Sequence, residues 1–139
     1  MENNIIYLLQ VISTAIMVGV IWVIQLLHYP SFHFIEQSNY QKFQNFHMQR
    51  ISVIVIPVMV IEFVTAFLLV YYLNQQFLSY ILLIMLILIW GITFLFFTKI
   101  HGKLTGGYDK IAVNKLVLIN WSRTILWSFR LLFLLFIDF

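Results

Sequence analysis

The stretch that decides the fold is residues 77–97, FLSYILLIMLILIWGITFLFF. It contains no charged residue, and a helix of this length crosses the roughly 30 Å hydrocarbon core of a bilayer. Three further apolar stretches take up most of the remaining chain. We therefore expect four membrane-spanning helices at about residues 4–28, 50–73, 77–97 and 115–139. The sequence predicts an all-α integral membrane protein, a single four-helix domain over residues 1–139.

The composition excludes several classes of protein. With 63% hydrophobic and 9% charged residues, the chain cannot cover a soluble domain with an ordinary charged surface. The net charge of +3 does not indicate a nucleic-acid partner, because no basic cluster with interleaved aromatic residues stands outside the apolar stretches. The absence of cysteine excludes disulfides, thiolate metal sites and iron–sulfur clusters.

The links between the apolar stretches predict how the helices are connected. Pro30 is expected to end helix one, because proline disfavours helical geometry in the residue before it. Residues 38–49 are polar and rich in aromatic residues, which predicts a short interfacial helix between helices one and two. Pro57 predicts a kink within helix two. The turn at residues 74–76 is so short that helices two and three must be antiparallel neighbours.

The basic residues near the predicted helix ends gather on one side of the threaded chain. They are Lys42, Arg50, Lys99, Lys103, Lys110 and Lys115. The positive-inside rule places this side in the cytoplasm and both termini outside or in the periplasm. We expect the protein to lie in a bacterial inner membrane, with membrane lipid as a partner.

The polar residues within the helices are expected to meet in one pocket. A step of about 3.6 residues predicts one stripe on helix two and another on helix four. The stripes are His47, Arg50, Ile54, Val58 and Glu62, and Asn120, Arg123, Thr124, Trp127 and Arg130. Helix one adds Gln25 and His28, and helix three adds Trp90, Phe94, Phe97 and His101. This arrangement predicts an aromatic-walled, cationic pocket that opens to the cytoplasm, with Glu62 at its depth.

The ionisable residues of these helices are the candidate catalytic groups, because a charge at the centre of a bilayer costs roughly 2.5 to 3.5 kcal/mol on insertion scales. They are Glu62, Arg123 and Arg130. The candidate substrate-binding residues are Arg50, Asn120, Gln25, Trp90 and Trp127. Two arginines for one carboxylate leave a positive excess, which favours an anionic ligand. A buried ion pair that only fixes the helix register is the alternative interpretation.

Four histidines are expected on the cytoplasmic side: His28, His33, His47 and His101. Imidazole binds both haem iron and transition metals, so these residues are candidate ligands for haem b or a metal ion. Their spacing forms no tight metal-binding motif. An ordinary interfacial role for each histidine therefore stays open.

A resemblance to a known family rests on short motifs: Tyr29-Pro30, Met48-Gln49-Arg50-Ile51, Ile56-Pro57-Val58-Met59, and Asn120 in helix four. They resemble motifs of the small membrane-embedded protoporphyrinogen oxidases of bacteria. The resemblance implies a four-helix scaffold that binds b-type haem. The family carries a histidine in helix one, where this chain has Ser13-Thr14-Ala15, and a lysine early in helix three, where residues 82–87 are apolar. The haem ligands of the family type are therefore not matched.

Three functions stay open on the sequence alone. The first is a membrane oxidoreductase for an amphipathic anionic or aromatic substrate, in which Glu62 handles protons, arginines bind carboxylates, and histidines hold haem or a metal or shuttle protons. The second is a binding or transport protein for an anionic lipid or small acid, and transport would require a homo-oligomer. The third is an accessory subunit whose polar residues meet the helices of a partner.

Overall fold

The computed structural model describes residues 2–72 and 77–136, and these residues form four long helices. Helix α1 begins as the α-helix Glu2–Val23 and continues through a π-helical turn, Ile24–His28. Helix α3 begins as the α-helix Phe77–Ile92 and continues through a second π-helical turn, Thr93–Phe97. Helix α1 then extends through Tyr29–Ser31 and Phe32–Phe34, and α3 through Thr98–Leu104. Helix α2 is Gln37–Tyr72, and helix α4 is Lys110–Leu134. The predicted all-α fold is confirmed.

Two predicted boundaries are wrong. Pro30 does not end α1, because it lies in the first turn after the π-helical segment, where a missing amide hydrogen is tolerated. Residues 38–49 do not form a separate interfacial helix. They are the first third of α2, which runs through Pro57 without a break, and contacts of the buried Tyr40 and Gln44 hold them against the bundle. The predicted turn at residues 74–76 lies outside the described residues.

The helices pack as a ring, in which α1 contacts α2 and α4, and α3 contacts the same two helices. Three layers of buried apolar side chains fill the interior. Tyr29 and Leu116 belong to the layer at the end where α1 meets α2, Ile89 belongs to the middle layer, and Leu69 and Leu82 belong to the layer at the opposite end.

The outer surface of the bundle is apolar, whereas polar side chains are inside. Leu118 is 72% exposed, while Glu62 and Arg130 are fully buried. Three helical segments are long and apolar enough to cross a membrane: Asn4–Phe34, Gln37–Tyr72 and Phe77–Leu104. Helix α4 is not among them, because it carries polar residues that face the bundle. This distribution is typical of membrane proteins, in which polar side chains avoid the lipid.

The link between α3 and α4 turns at Gly107, whose φ of 140° is a conformation that glycine adopts most readily. Asp109 caps α4, because its Oδ1 accepts a hydrogen bond of 2.9 Å from the backbone amide of Ala112. Its Oδ2 lies 2.5 Å from the Nζ of Lys103. One carboxylate therefore closes the link and joins α3 to α4.

This carboxylate should make part of the stability depend on pH. The hydrogen bonds from Lys103 and then from Ala112 lower the pKa of Asp109 below its ordinary value of 3.8. The stabilisation is therefore present above that value and is lost as the pH falls through the lower, folded pKa. In thermal unfolding measured across acidic pH, we expect Asp109→Asn to keep the cap but lose this pH dependence. A variant with the same acid profile as the parent chain would contradict this expectation.

Candidate functional site

The buried polar residues around Glu62 and those around Arg123 form two groups rather than one pocket. In the first, Oε1 of Glu62 accepts hydrogen bonds from Nε of Arg130 at 2.9 Å and from Oγ1 of Thr14 at 2.8 Å, and Oε2 accepts one from Nε1 of Trp127 at 3.1 Å. Arg130 also donates to the carbonyl oxygen of Leu82. Glu62 and Arg130 line neither of the two cavities described below. The expectation that Glu62 lies at the depth of the pocket is therefore wrong.

The Glu62 group extends to residues that the sequence analysis did not single out. Nε2 of Gln10 donates to Oγ1 of Thr14 at 3.1 Å, and Oγ1 of Thr65 donates to Oε1 of Gln10 at 2.7 Å. Helices α1, α2 and α4 are thus joined by one buried network. Gln10 and Thr14 lie four residues apart on one face of an apolar helix, and this spacing could have identified them.

The second group surrounds a cavity of about 320 Å³ between the four helices, mostly between α2 and α3. Its polar and aromatic lining comprises Tyr29, His47, Ser52, Trp90, Thr93, Phe94, Phe97, Thr98, His101 and Arg123. The expected aromatic wall on α3 is therefore present. This wall faces Arg123, and Glu62 does not line the cavity.

Arg123 is the buried cation of this cavity, with 5% of its surface exposed. Its guanidinium carbon lies 4.2 Å from the ring centre of Phe97 and 5.2 Å from that of Trp127, and it interacts with the hydroxyl group of Tyr29. No carboxylate in residues 2–72 and 77–136 forms a salt bridge with it. Aromatic faces and a phenol therefore supply its partners in the protein.

Three buried polar atoms around this cavity have no hydrogen-bond partner in the described part of the chain. They are Nε2 of His47, Nε1 of Trp90 and Nε of Arg123. The nitrogens of Trp90 and Arg123 are donors, whereas that of His47 can donate or accept. Buried donors without partners are rare in native proteins, so their concentration here indicates a place for a ligand with acceptor oxygens.

Three of the four candidate histidines meet beside the cavity. Nε2 of His28 and Nδ1 of His47 share a hydrogen bond of 2.6 Å, and the rings of His47 and His101 lie 5.5 Å apart. Both ring nitrogens of His101 have protein partners, because Gln44 contacts Nδ1 at 2.9 Å and the hydroxyl group of Tyr29 contacts Nε2 at 3.2 Å. The histidines thus bond to protein groups rather than to a common centre.

His33 lies apart from this cluster, because its Nδ1 is 2.8 Å from the hydroxyl oxygen of Tyr108. Among the residues with described positions, no group of three His, Asp or Glu side chains has the geometry to hold a metal ion. Of the four candidate histidines, His28, His47 and His101 therefore lie together, whereas His33 does not join them. The extension of α1 beyond Pro30 gives His28 and His33 different neighbours.

Two π-helical turns lie at the cavity. One side of the cavity is lined by Ile24, in the π-helical turn of α1, and by Tyr29, the residue after that turn. Another side is lined by three residues of the turn in α3: Thr93, Phe94 and Phe97. A π-helical turn carries an extra residue within an α-helix, and such turns frequently occur at functional sites. The periodicity of the sequence gave no signal for either turn.

The remaining predicted site residues have separate places. On α2, Arg50 is exposed on the outer surface, which makes the predicted stripe wrong at this position. Nδ2 of Asn120 donates to Oε1 of Gln25 at 2.9 Å, and Nε2 of Gln25 donates to the carbonyl oxygen of Val117 at 3.2 Å. Gln25 and Asn120 therefore join α1 to α4 and line neither cavity. The predicted stripe on α4 is confirmed, because all five of its residues are buried.

No protein-family model, curated protein or solved structure matches this chain. The resemblance to the membrane-embedded protoporphyrinogen oxidases therefore stays a prediction.

Proposed function

We propose that this protein is a membrane-embedded binding protein for an amphipathic aromatic anion, with Arg123 as the cation that holds the acidic group. The observation that carries the proposal is the burial of Arg123 beside a cavity without a carboxylate partner in the described residues. Arg130 is neutralised by Glu62, whereas in residues 2–72 and 77–136 the guanidinium group of Arg123 contacts aromatic faces and a phenol and forms no salt bridge. A buried charge is costly unless it is paired, and an anionic ligand supplies the missing pair.

The shape of the cavity supports an aromatic ligand. Trp90, Phe94 and Phe97 form one wall, and Met59 adds apolar surface. The unpartnered nitrogens of Trp90 and Arg123 would donate to the acidic group, while the aromatic wall would contact the ring of the ligand. A carboxylate on an aromatic body fits both sets of contacts.

The mouth of the cavity supports entry from the lipid. Ile56 on α2 and Phe94 on α3 line the cavity, and both are more than half exposed on the outer surface of the bundle. We propose that all four helices cross the inner membrane of a bacterium, with the basic ends of the helices in the cytoplasm and both termini outside. An amphipathic ligand would then reach Arg123 sideways from the bilayer.

Photolabelling tests this function in nanodiscs made only of zwitterionic lipid. We expect a benzophenone carboxylate to label the cavity, and the corresponding uncharged carboxamide to label it more weakly. Arg123→Gln should reduce the apparent affinity for the carboxylate by about 10- to 100-fold, the range of a charge-assisted hydrogen bond, and leave labelling by the carboxamide unchanged.

Lys99→Gln is the matched control, because it removes an exposed positive charge from α3 without altering the lining of the cavity. This variant should label like the parent chain. Equal affinity of the parent chain for the carboxylate and the carboxamide would contradict the proposal. Equal losses of affinity in Arg123→Gln and Lys99→Gln would also contradict it.

An oxidoreductase is the second candidate, and one observation favours it. His47 lines the cavity; its Nε2 is buried without a partner in the described part of the chain, while its Nδ1 is held by His28. A metal-binding histidine commonly has its other nitrogen fixed in this way. Among the described residues no group of three His, Asp or Glu side chains fits a metal ion, but His47 would be the residue that holds a haem, which would supply the redox chemistry. An absorption band that purified protein shows and His47→Gln loses would support this candidate.

A further inference from the structure

A second cavity, here called the outer groove, lies between α1 and α2 and has a volume of about 450 Å³. Helix α1 lines it from Gly19 to His28, and α2 lines it from Phe43 to Ile54. The ten residues from Gly19 to His28 and the twelve from Phe43 to Ile54 span nine and eleven helical steps, which correspond to about 14 and 16 Å along the helix axes. The groove is therefore long and runs parallel to the helices.

The open side of the outer groove faces the surroundings of the bundle. Val23 is 58% exposed, Leu27 is 68% exposed and Ile54 is 51% exposed, and all three residues line the groove. The lining is almost wholly apolar apart from His28, His47 and Arg50. A ligand in this groove therefore has an apolar portion that contacts most of the length of the groove.

The one permanent charge of the outer groove is Arg50. Its guanidinium carbon lies 5.5 Å from the ring centre of Phe46, one turn nearer the basic end of the bundle. The long side chain of arginine can place its charge at the membrane interface while its stem stays in apolar surroundings. His28 is half-buried and lines the same part of the groove. The groove thus combines a cation near the membrane interface with an apolar track that runs along the helices toward the centre of the membrane.

We propose that the outer groove binds one anionic phospholipid, with its phosphate at Arg50 and one acyl chain along the track between Gly19 and Ile54. The planar guanidinium group matches the oxygens of a phosphate, which favours a phospholipid over a neutral lipid. The open side near Val23 and Leu27 leaves the second acyl chain in the surrounding bilayer, which favours a phospholipid over a free fatty acid. This proposal rests on the membrane insertion proposed above, but it is independent of ligand binding at Arg123.

Native mass spectrometry of the purified full-length chain tests the site, with phosphatidylglycerol and phosphatidylcholine as probes. We expect one phosphatidylglycerol to be retained about fivefold more strongly than phosphatidylcholine, and Arg50→Gln to abolish this preference. Lys42→Gln is the matched control, because Lys42 is an exposed cation on the same helix that does not line the groove. It should keep the preference.

A second pair of variants tests the track without changing any charge. A Cβ atom added at Gly19 meets no atom within 4 Å, so Gly19→Leu should fold and occupy part of the groove. Gly91 offers equally open space but lines neither cavity, so Gly91→Leu is its control. We expect Gly19→Leu alone to lose retention of phosphatidylglycerol by about tenfold.

Three results would overturn the proposal: equal retention of the two lipids by the parent chain, equal losses in Arg50→Gln and Lys42→Gln, or full retention by Gly19→Leu. Photolabelling of the cavity at Arg123 measures the proposed function separately from lipid binding in the outer groove. Lost lipid binding with intact labelling would reject the outer groove alone, and the reverse result would reject the Arg123 site alone.

Discussion

Replacing Arg130 by methionine should lower the free energy of unfolding by about 3 to 5 kcal/mol, the range for breaking a buried ion pair. The substitution leaves the fully buried carboxylate of Glu62 with Thr14 and Trp127 as its remaining donors in the described part of the chain. It also removes the hydrogen bond from Arg130 to the carbonyl oxygen of Leu82. Reversible unfolding in mixed detergent micelles, followed by circular dichroism, would measure the loss.

Two further variants give this prediction its controls. Arg123→Met also removes a buried arginine, but it leaves no carboxylate unpaired, so its free energy of unfolding should stay equal or rise. Adding Glu62→Gln to Arg130→Met should recover part of the lost stability, because the uncompensated charge is gone. Equal destabilisation by Arg123→Met and Arg130→Met would show that the ion pair with Glu62 is not the cause.

Replacing Trp127 by alanine should destabilise the bundle by about 3 to 5 kcal/mol, because the side chain is fully buried in the middle layer. Trp127→Phe should cost less, about 1 to 3 kcal/mol, mainly because Oε2 of Glu62 loses its donor. The same unfolding measurement applies to both variants. An unchanged free energy of unfolding in Trp127→Phe would contradict the contribution of the hydrogen bond, and an equal loss in the two variants would contradict the contribution of ring packing.

Trp127 also joins the two polar groups, since it donates to Glu62 while its ring contacts the guanidinium group of Arg123. A double-mutant cycle between Trp127→Phe and Arg123→Met would measure how strongly the two sites are coupled. A coupling energy near zero would show that the cavity and the Glu62 network are energetically independent.

The all-α architecture could be predicted from the sequence, because long apolar stretches with few polar residues are typical of membrane-spanning helices. On helix α4 the polar residues are frequent enough to define a face, so the burial of Arg123, Trp127 and Arg130 followed from their spacing. The partner of Glu62 could not be predicted. Both arginines lie on the same face of α4, and the choice of Arg130 depends on the relative depth of two packed helices.

The buried face of α2 was harder to predict, because every residue between Ser52 and Glu62 is apolar. In a lipid environment apolar residues are acceptable on either face, so steps of three and four residues cannot be told apart. The structure buries Met59 on the same face as His47 and Glu62, and it leaves Ile54 exposed. The π-helical turns in α1 and α3 added a change of register that no periodicity shows.

Helix α2 is long enough that His47 and Glu62 lie in different surroundings. Its 36 residues correspond to about 54 Å, well beyond the roughly 30 Å of hydrocarbon in a bilayer. In the proposed orientation, the half of α2 near Gln44 and His47 therefore reaches the hydrated headgroup layer, while Glu62 stays in the anhydrous interior. Helix α2 thus places the imidazole of His47 close to the hydrated layer and the carboxylate of Glu62 away from water.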